Sequence, residues 1–493
     1  MKRTCLFLFQ FCILNFYFTL AQPKYEFRGA WVATVTNIDW PTAGNFNPDS
    51  QKEEFINLLN MHQRNGLNAV IVQVRPSTDA FYPSPYEPWS EWLTGKQGLP
   101  PSPYYDPLAF MISETHKRGM EFHAWCNPYR AEFSVGKSSI AVTHITRIHP
   151  EWFITYGGKR YFDPGNKEVQ QYVTIVIRDL VKRYDIDAVH FDDYFYPYRV
   201  AGEELADDSS FSKYNNGLNK EDWRRSNVDS VILFLSRAIK EENKYCKFGI
   251  SPFGVWRNND KDPEGSATKA GQTNYDDLYA DILLWLKKGW IDYVTPQLYW
   301  EFGHKLVGYE TLIDWWSKHA YGRQLYIGHG IYRAYERNSP GYKNPQELPN
   351  QIKKLREYSS VQGSIYFSSK SFVHNPNGWS DSLRNNYYKH PALLPPMLWI
   401  DSIKPAKPIV QKQSDLVWKI SASQEKRVKY FILYSLSGDQ PRNLDSTYAF
   451  EILPSVKGEA LFNKDKYKEF CKNGCAVAVI NWNNLESDVK VLR

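Results

Sequence analysis

The sequence predicts an α/β fold, a (β/α)8 TIM barrel followed by a small all-β sandwich. Between residues 28 and 370, apolar strand-like runs alternate with amphipathic helical stretches, a pattern typical of parallel βα units. After residue 389, prolines punctuate the chain and short alternating runs follow. An open doubly wound sheet is the alternative, but it normally carries a phosphate-binding glycine motif, which this sequence lacks.

The first half of the barrel is predicted from helix boundaries and from β-branched runs. Helix 51–65 ends at Gly66, and glycine is favoured where a helix stops. Segment 68–74 is almost continuously apolar, as parallel strands buried on both faces are. The same reasoning predicts strands 28–35, 121–126 and 187–192 and helices 107–117 and 169–184.

The second half of the barrel repeats one unit four times, each time as a helix followed by a strand. Helix 276–288, for example, leads through Gly289 to strand 291–295. The two halves together give eight strands that alternate with helices, and eight is the number of strands in a barrel of this kind. The other three units pair helix 223–243 with strand 247–251, helix 312–319 with strand 324–328, and helix 345–358 with strand 363–367.

The C-terminal region is predicted to be a separate domain over residues 395–493, after a barrel domain over 25–385. Its short strands have the spacing of a β-sandwich. Cys471 and Cys475 are close enough in sequence to form a disulfide in an oxidising compartment, whereas Cys126 and Cys246 are expected to be buried thiols. The predicted strands are 416–420, 429–434, 448–452, 475–480 and 489–492.

The N-terminus has the features of a secretory signal peptide over residues 1–21. Lys2 and Arg3 precede an apolar run from 6 to 20, and small residues lead up to a cleavage point before Gln22. The run is too short and too polar to predict a membrane span, and a lipid-modified Cys12 is the less favoured alternative. We therefore expect an exported protein, periplasmic or extracellular, without a membrane span.

Composition favours a carbohydrate partner over a nucleotide or nucleic acid. Aromatic residues make up 16% of the 493 residues, and many of them lie beside Pro, Gly or Asn. The formal net charge of +6 is too small and too evenly spread to predict nucleic-acid binding. No Cys/His metal spacing, phosphate-binding loop or serine nucleophile elbow is found, so we expect neither a metal nor another cofactor. The oligomeric state is left open.

Segment 187–198, with the sequence DAVHFDDYFYPY, is the most informative stretch of the chain. Residues two apart on a strand share a face, so His190, Asp192 and Tyr194 are predicted to point one way and Asp193 the other. Catalytic groups of a (β/α)8 barrel gather at the C-terminal ends of its strands. A carboxylate among tyrosines at that position is typical of a site that acts on sugars.

Polar and aromatic residues follow the other strands at the same end. The candidates for substrate binding from these segments and from 187–198 are Arg75, Asn127, Tyr129, His190, Tyr194, Trp256, Gln297, Tyr299 and Trp300.

Several sequence blocks resemble the glycosyl hydrolase-like 10 family. They are 28–34 (RGAWVAT), 37–41 (NIDWP), 73–76 (QVRP), 251–254 (SPFG), 275–281 (YDDLYAD) and 295–300 (TPQLYW). The resemblance covers roughly residues 25–375 and implies a TIM barrel, bacterial export and glycoside hydrolysis. Some members of the family cleave peptide-free glycan strands of peptidoglycan, and a fibronectin type III-like tail is common.

Glycoside hydrolysis normally requires two carboxyl groups, and Asp192 is the first candidate. Its strand is also similar to the fourth strand of alpha-amylase-type barrels, where the corresponding residue is the nucleophile. That pattern expects a Glu at the end of strand five, which segment 251–254 lacks. The second carboxylate is therefore sought among Asp79, Asp193 and Glu301.

Arg75 could hold a catalytic carboxyl ionised. The predicted function is an exported glycoside hydrolase acting on a polysaccharide, with the glycan strands of peptidoglycan as the first candidate. The alternatives are a non-catalytic glycan-binding barrel, which the missing Glu favours, and a structural envelope protein.

Overall fold

The computed structural model describes residues 22–423, 428–436 and 449–492. The predicted signal peptide over 1–21 lies outside this part of the chain. No helix in the described residues is both long and apolar enough to cross a membrane.

Eight parallel strands close into a barrel, which confirms the predicted fold class. Each strand pairs with its sequence neighbours, and the last strand pairs with the first. The strands are β1 Phe27–Val32, β2 Ala69–Arg75, β3 Glu121–Cys126, β4 Ala188–Phe191, β5 Lys247–Ile250, β6 Tyr293–Val294, β7 Gln324–His329 and β8 Val361–Tyr366.

Seven helices each lead into the next strand of the barrel, and several of them begin at polar caps. The Asn47 side chain accepts hydrogen bonds from the backbone of the first helix, and Asn166 does the same at the third, as N-cap residues do. The helices are α1 Pro48–Arg64, α2 Pro107–His116, α3 Lys167–Arg183, α4 Lys220–Glu242, α5 Ile282–Lys288, α6 Tyr309–Lys318 and α7 Glu347–Leu355. Further helices of four to seven residues span Glu91–Thr94, Ile145–Ile148, Asp208–Tyr214, Ser369–His374 and Trp379–Ser382.

The predicted helix 276–288 is wrong at its beginning, because α5 starts only at Ile282. The Asp277 carboxylate accepts a hydrogen bond from the Thr273 backbone N–H and closes a turn there. The Asp281 side chain then caps the helix through the Leu284 N–H. Local side-chain bonding to the backbone therefore competes with helix formation in this segment.

Apolar side chains of the barrel alternate between its interior and the surrounding helices. Along β2, Ala69 and Ile71 join the interior cluster, while Val70 and Val72 join the cluster that packs against the helices. Tyr293 lies across the interior over Gly249, where a Cβ atom would be 1.9 Å from the Tyr293 ring. Only glycine therefore fits at residue 249.

A three-stranded antiparallel sheet is inserted in the long loop after β3. Its strands are Arg130–Glu132, Phe153–Tyr156 and Lys159–Phe162, with the last in the middle. This sheet rises beside the C-terminal ends of the barrel strands and supplies part of the wall of the cleft described below.

The C-terminal region forms two antiparallel sheets packed face to face, as the sandwich prediction requires. Its similarity to fibronectin type III and the exact domain boundaries stay predictions. Cys471 and Cys475 form a disulfide, while Cys126 and Cys246 are buried free thiols. The strands are β9 Ile409–Lys412, β10 Val417–Ser421, β11 Val428–Ser435, β12 Ala449–Pro454, β13 Glu459–Asn463, β14 Cys475–Asn481 and β15 Lys490–Leu492.

The sandwich docks on the N-terminal end of the barrel, opposite the cleft. Lys429 of β11 reaches into the barrel base, where its Nζ lies 2.6 Å from Glu121 Oε1 and 2.9 Å from Asp187 Oδ1. Lys247 binds the same Glu121 oxygen at 2.5 Å. Buried opposite charges therefore join the two parts of the chain.

Candidate active site

A cleft of about 520 Å³ opens at the C-terminal end of the barrel. Every one of the eight strands, or the loop that follows it, contributes to the cleft, as expected for a barrel enzyme. The lining residues are Trp31, Ala33, Val35, Thr36, Ile38, Gln73, Trp125, Arg130, Phe133, Lys159, Asp192, Asp193, Tyr194, Tyr198, Ser251, Phe253, Gln297, Tyr299, Trp300, Tyr332, Arg333 and Phe367.

Asp192 and Asp193 both line this cleft, and they are its only carboxylates among the described residues. The prediction that they point to opposite faces is therefore wrong. Strand β4 ends at Phe191, so the alternation that governs a strand no longer applies to the two residues that follow. Ending the strand one residue early delivers two adjacent carboxylates to one place.

Asp192 is held in position by three donors. Its Oδ2 accepts hydrogen bonds from Trp125 Nε1 at 3.1 Å and Asn127 Nδ2 at 3.3 Å, and its Oδ1 accepts one from the Tyr194 N–H at 3.4 Å. Burial raises the pKa of Asp192 to about 7, and the neighbouring charge of Asp193 acts in the same direction. The predicted substrate ligand Asn127 thus positions a carboxylate.

Asp193 accepts a hydrogen bond from the Tyr198 hydroxyl. Burial raises the pKa of Asp193 to about 6, while Tyr198, Arg130 and Gln297 act against that rise. The two carboxyls are adjacent and buried, so both bind a proton at higher pH than an exposed aspartate does. The pair therefore holds about one proton at slightly acid to neutral pH.

His190 lies beneath the cleft floor in the barrel interior. Its Nε2 lies 3.2 Å from Trp31 Nε1 and 2.9 Å from Ser251 Oγ, and its Nδ1 lies 2.9 Å from the Tyr293 hydroxyl. Burial lowers the pKa of His190 well below its ordinary value. A neutral His190 thus supports Trp31 and Ser251, which line the cleft, and is not itself part of the lining.

Three cations line the same cleft as the carboxylate pair. Arg130 and Lys159 come from the sheet inserted after β3, and Arg333 comes from the short helical segment Ile331–Tyr335 after β7. The Arg130 guanidinium stacks on the Tyr194 ring at 4.4 Å, and Lys159 Nζ lies 5.2 Å from the centre of Phe133. Burial lowers the pKa of Lys159, and the charge of Arg130 adds to this.

Four of the predicted substrate ligands line the cleft, namely Tyr194, Gln297, Tyr299 and Trp300. The Gln297 side chain donates to the Ser251 carbonyl at 2.9 Å. The Trp300 ring packs edge-on against Phe253, and Tyr299 packs against Tyr332. Aromatic faces and a few polar groups are thus available for sugar rings and hydroxyls.

Arg75 and Asp79 from the end of β2 are buried away from the cleft. Arg75 forms a bidentate ion pair with Glu87, at 2.8 Å from Nε and 2.5 Å from Nη2. Asp79 accepts hydrogen bonds from the Ser77 N–H and from Gln97 Nε2, and burial raises its pKa to about 7. Arg75 therefore does not serve a catalytic carboxyl.

Glu301, Tyr129 and Trp256 also lie outside the cleft lining. The Glu301 side chain packs on Gly341, and Trp256 stacks on Trp315. Tyr129 is buried immediately before the first strand of the inserted sheet. Each follows the end of a barrel strand by three or more residues. Of the three candidates for a second carboxylate, only Asp193 lies beside Asp192.

Several residues of the cleft were not predicted from the sequence. Tyr198 stands within the informative segment 187–198, where its proximity to Asp193 was the available signal. Lys159 and Arg333 belong to loop structures with no sequence pattern of their own. In the described ranges, no group of three or more His, Cys, Asp or Glu residues is arranged to hold a metal ion.

The site combines a buried carboxylate pair that carries a proton, aromatic walls and nearby cations. A protonated carboxyl can give its proton to a leaving oxygen, and an ionised one can stabilise developing positive charge. This arrangement suits the cleavage of a glycosidic bond.

Comparisons with known proteins also indicate glycoside hydrolysis. The family model described as Glycosyl hydrolase-like 10 matches residues 26–346. Glycosyl hydrolase YngK of Bacillus subtilis (strain 168) is 45% identical over 440 residues, covering 87% of this chain and 86% of its own length. Glycosyl hydrolase DigH of Escherichia coli (strain K12) is 40% identical over 376 residues, covering 71% of this chain and 84% of its own.

Proposed function

The chain belongs to the glycosyl hydrolase-like 10 family and is a glycoside hydrolase, and from this premise we propose that it is an exported enzyme that cleaves the glycan strands of peptidoglycan. The preferred substrate is the denuded strand, from which the stem peptides have been removed. The reaction uses the two carboxyls of Asp192 and Asp193. Family membership favours this enzyme over the non-catalytic glycan-binding barrel.

The proposed substrate rests mainly on the charge of the cleft. Arg130 and Lys159 form no ion pair with any described residue, and Arg333 has only Glu336 at 3.6 Å. Three cations in a cleft whose carboxylate pair holds about one negative charge leave a net positive charge, which attracts an anionic ligand. Removing the stem peptide leaves a free lactyl carboxylate on every second sugar of a peptidoglycan strand, whereas cellulose, starch and chitin are neutral. The cations therefore suit the denuded strand better than a neutral glycan.

Digestion of matched glycans tests the substrate. Purified denuded strands, the same strands with their lactyl carboxyls converted to amides, and chitin oligosaccharides are incubated with the enzyme, and the products are analysed by mass. We expect the lowest KM for the free-acid strands. Equal kcat/KM for free-acid and amidated strands would contradict the assignment.

A pair of lysine variants locates the charge effect. Lys159→Gln should raise the KM for free-acid strands about three- to tenfold and leave the amidated strands unaffected, because one partly screened charge pair is lost. Lys137→Gln is the control, since Lys137 is exposed in the same loop and does not line the cleft. A raised KM for both substrates would point to damage of the loop rather than to lost charge recognition.

Export is tested separately by N-terminal sequencing of the secreted protein. The apolar run and the small residues before Gln22 support cleavage at that point. Mature protein that begins at Gln22 is the expected result. A lipid-modified Cys12, or retention of the apolar run, would contradict it.

A further inference from the structure

We propose that the nucleophile of this reaction is the 2-acetamido group of the substrate itself, so that the cleft acts only on 2-acetamido-2-deoxy sugars. Asp192 accepts the amide N–H of that group, and Asp193 supplies the proton to the leaving oxygen. This inference rests on the proposed function, because both sugars of a peptidoglycan strand carry the 2-acetamido group.

The first observation is the placement of the carboxylates. In the usual glycosidase the two carboxyls flank the scissile bond, so that one can act as nucleophile or base from the side opposite the acid. Here the two belong to consecutive residues, whose Cα atoms are about 3.8 Å apart, and both rise from the end of β4. No other carboxylate lines the described cleft.

The opposing walls carry other chemistry. The inserted sheet presents Arg130, Phe133 and Lys159, and the loops after β6 and β7 present tyrosines, Trp300 and Arg333. None of these groups is a carboxylate that could attack the anomeric carbon or activate water opposite the pair. The attacking oxygen must therefore come from elsewhere, and the acetamido oxygen lies next to the anomeric carbon in the substrate.

The hydrogen-bond partners divide the roles between the two carboxyls. Trp125 Nε1, Asn127 Nδ2 and the Tyr194 N–H can only donate, so Asp192 is held as an acceptor, which suits an ionised group that receives an amide N–H. Asp193 accepts a hydrogen bond from the Tyr198 hydroxyl. In the free enzyme Asp192 has the higher pKa of the two. A substrate amide N–H bound to Asp192 adds a further donor that stabilises its ionised form, so the shared proton moves to Asp193, which delivers it to the leaving oxygen.

The chemical steps balance with water as the only other reactant. The acetamido carbonyl oxygen forms a bond to C1 while the C1–O glycosidic bond breaks, and the Asp193 proton moves to the leaving oxygen. The resulting oxazolinium ion keeps its N–H against ionised Asp192. Water then attacks C1, gives its proton to Asp193 and breaks the C1–oxazolinium oxygen bond. The acetamido group is restored, and the anomeric configuration is retained.

Re-acylated strands test the nucleophile. Denuded strands are N-deacetylated and divided, and one portion is re-acetylated while the other is trifluoroacetylated, which keeps the shape but weakens the carbonyl nucleophile. We expect kcat on the trifluoroacetyl strands to fall by more than about a hundredfold relative to the re-acetylated strands, as loss of an activated nucleophile should cause. Nearly equal kcat values on the two would overturn the inference while leaving the proposed function intact.

Two further readouts complete the test. Proton NMR of the first-formed reducing end should show retained configuration, and inversion would overturn the inference. If free-acid strands are not cleaved but chitin oligosaccharides are, the proposed substrate fails. The same acyl exchange on chitin oligosaccharides then still tests the nucleophile.

Discussion

Strand β4 has a buried carboxylate before its first residue and another after its last, and the two have opposite surroundings. At the base of the barrel, Asp187 lies within 2.9 Å of Lys429 and 2.8 Å of His116. Burial alone would raise the pKa of Asp187, but these cationic partners outweigh it and hold the pKa below its usual range. At the cleft, Asp192 has neutral donors and a second carboxyl, and its pKa is raised.

Glu121 extends the contrast at the barrel base. Burial would raise its pKa, but Lys247 and Lys429 hold it well below its ordinary value. A buried carboxylate with cationic partners stabilises the fold as an ion pair, whereas one left with a raised pKa is available for proton transfer. The surroundings, and not the residue type, thus separate structural from chemical carboxylates on one strand.

A column of hydrogen bonds runs through the barrel between these two regions. Glu121 Oε2 lies 3.0 Å from His123, His123 lies 2.8 Å from the Tyr293 hydroxyl, and that hydroxyl lies 2.9 Å from His190. Burial lowers the pKa of both histidines. The neutral column therefore separates the charged base from the acidic pair, and changes at one end should leave the other largely unaffected.

The largest expected effect is on catalysis at the cleft. Asp193→Asn keeps the shape of the side chain and removes the acid, so turnover of denuded strands should fall about a thousandfold. Asp179→Asn is the control, because Asp179 pairs with Arg183 on the surface of α3. Turnover of Asp193→Asn within tenfold of the native enzyme would remove Asp193 from the mechanism.

Next in size is the stability of the barrel base. Lys429→Met leaves Asp187 and Glu121 buried with fewer cations, which should cost roughly 3–5 kcal/mol of unfolding free energy. Lys419→Met should cost less than about 1 kcal/mol, because its ion pair with Glu459 is partly exposed. Urea unfolding measures both. Equal costs for the two variants would show that the base charges do not hold the domains together.

The pH dependence of stability should have opposite signs at the two regions. A carboxyl with a raised pKa binds more protons in the folded state, so Asp192 should lower stability as the pH rises from about 4 to 7. The free energy of unfolding of Asp192→Asn should therefore exceed that of the native protein by up to about 4 kcal/mol at pH 8 and should nearly equal it at pH 4. Asp187 has a lowered pKa, so its stabilisation should be lost as the pH falls below about 4. A pH-independent difference for Asp192→Asn would contradict the raised pKa.

The smallest effect is expected at Tyr198. Its hydroxyl bond lowers the pKa of Asp193, so Tyr198→Phe should raise that pKa by up to about one unit. Since the acid must be protonated, the alkaline limb of the profile of kcat/KM against pH should move to higher pH. A shift toward lower pH would indicate that the hydroxyl does not stabilise the ionised Asp193.

Much of the fold could be predicted because barrel strands and helices leave local patterns. The β-branched run of β2 and the caps of α1 and α3 are set by neighbouring residues in the chain. The segment around Asp192 could also be predicted from local sequence, because a buried strand leads directly into it. Helix α5 was placed less well because its beginning depends on side-chain turns at Asp277 and Asp281.

The rest of the site depends on contacts between distant segments. Arg75 and Asp79 lie at the end of β2, much as Asp192 lies at the end of β4. In the loop that follows β2, however, Glu87 pairs with Arg75 and Gln97 donates a hydrogen bond to Asp79. Lys159 reaches the cleft only because a hairpin folds against segment 130–132. No spacing in the sequence distinguishes a charge that faces the cleft from one that a later loop neutralises.

Two substitutions on β4, compared directly, test the central contrast. Asp187→Asn and Asp192→Asn make the same chemical change immediately before and immediately after β4. Turnover of denuded glycan strands and the thermal midpoint of unfolding can be measured on the same preparations. We expect Asp192→Asn to lose at least about a hundredfold in turnover while its midpoint stays at or above the native value. Asp187→Asn should keep turnover within about threefold and lose about 5 °C or more. Near-native turnover of Asp192→Asn, or loss of turnover in folded Asp187→Asn, would contradict the assignment of chemistry to the cleft and structure to the base.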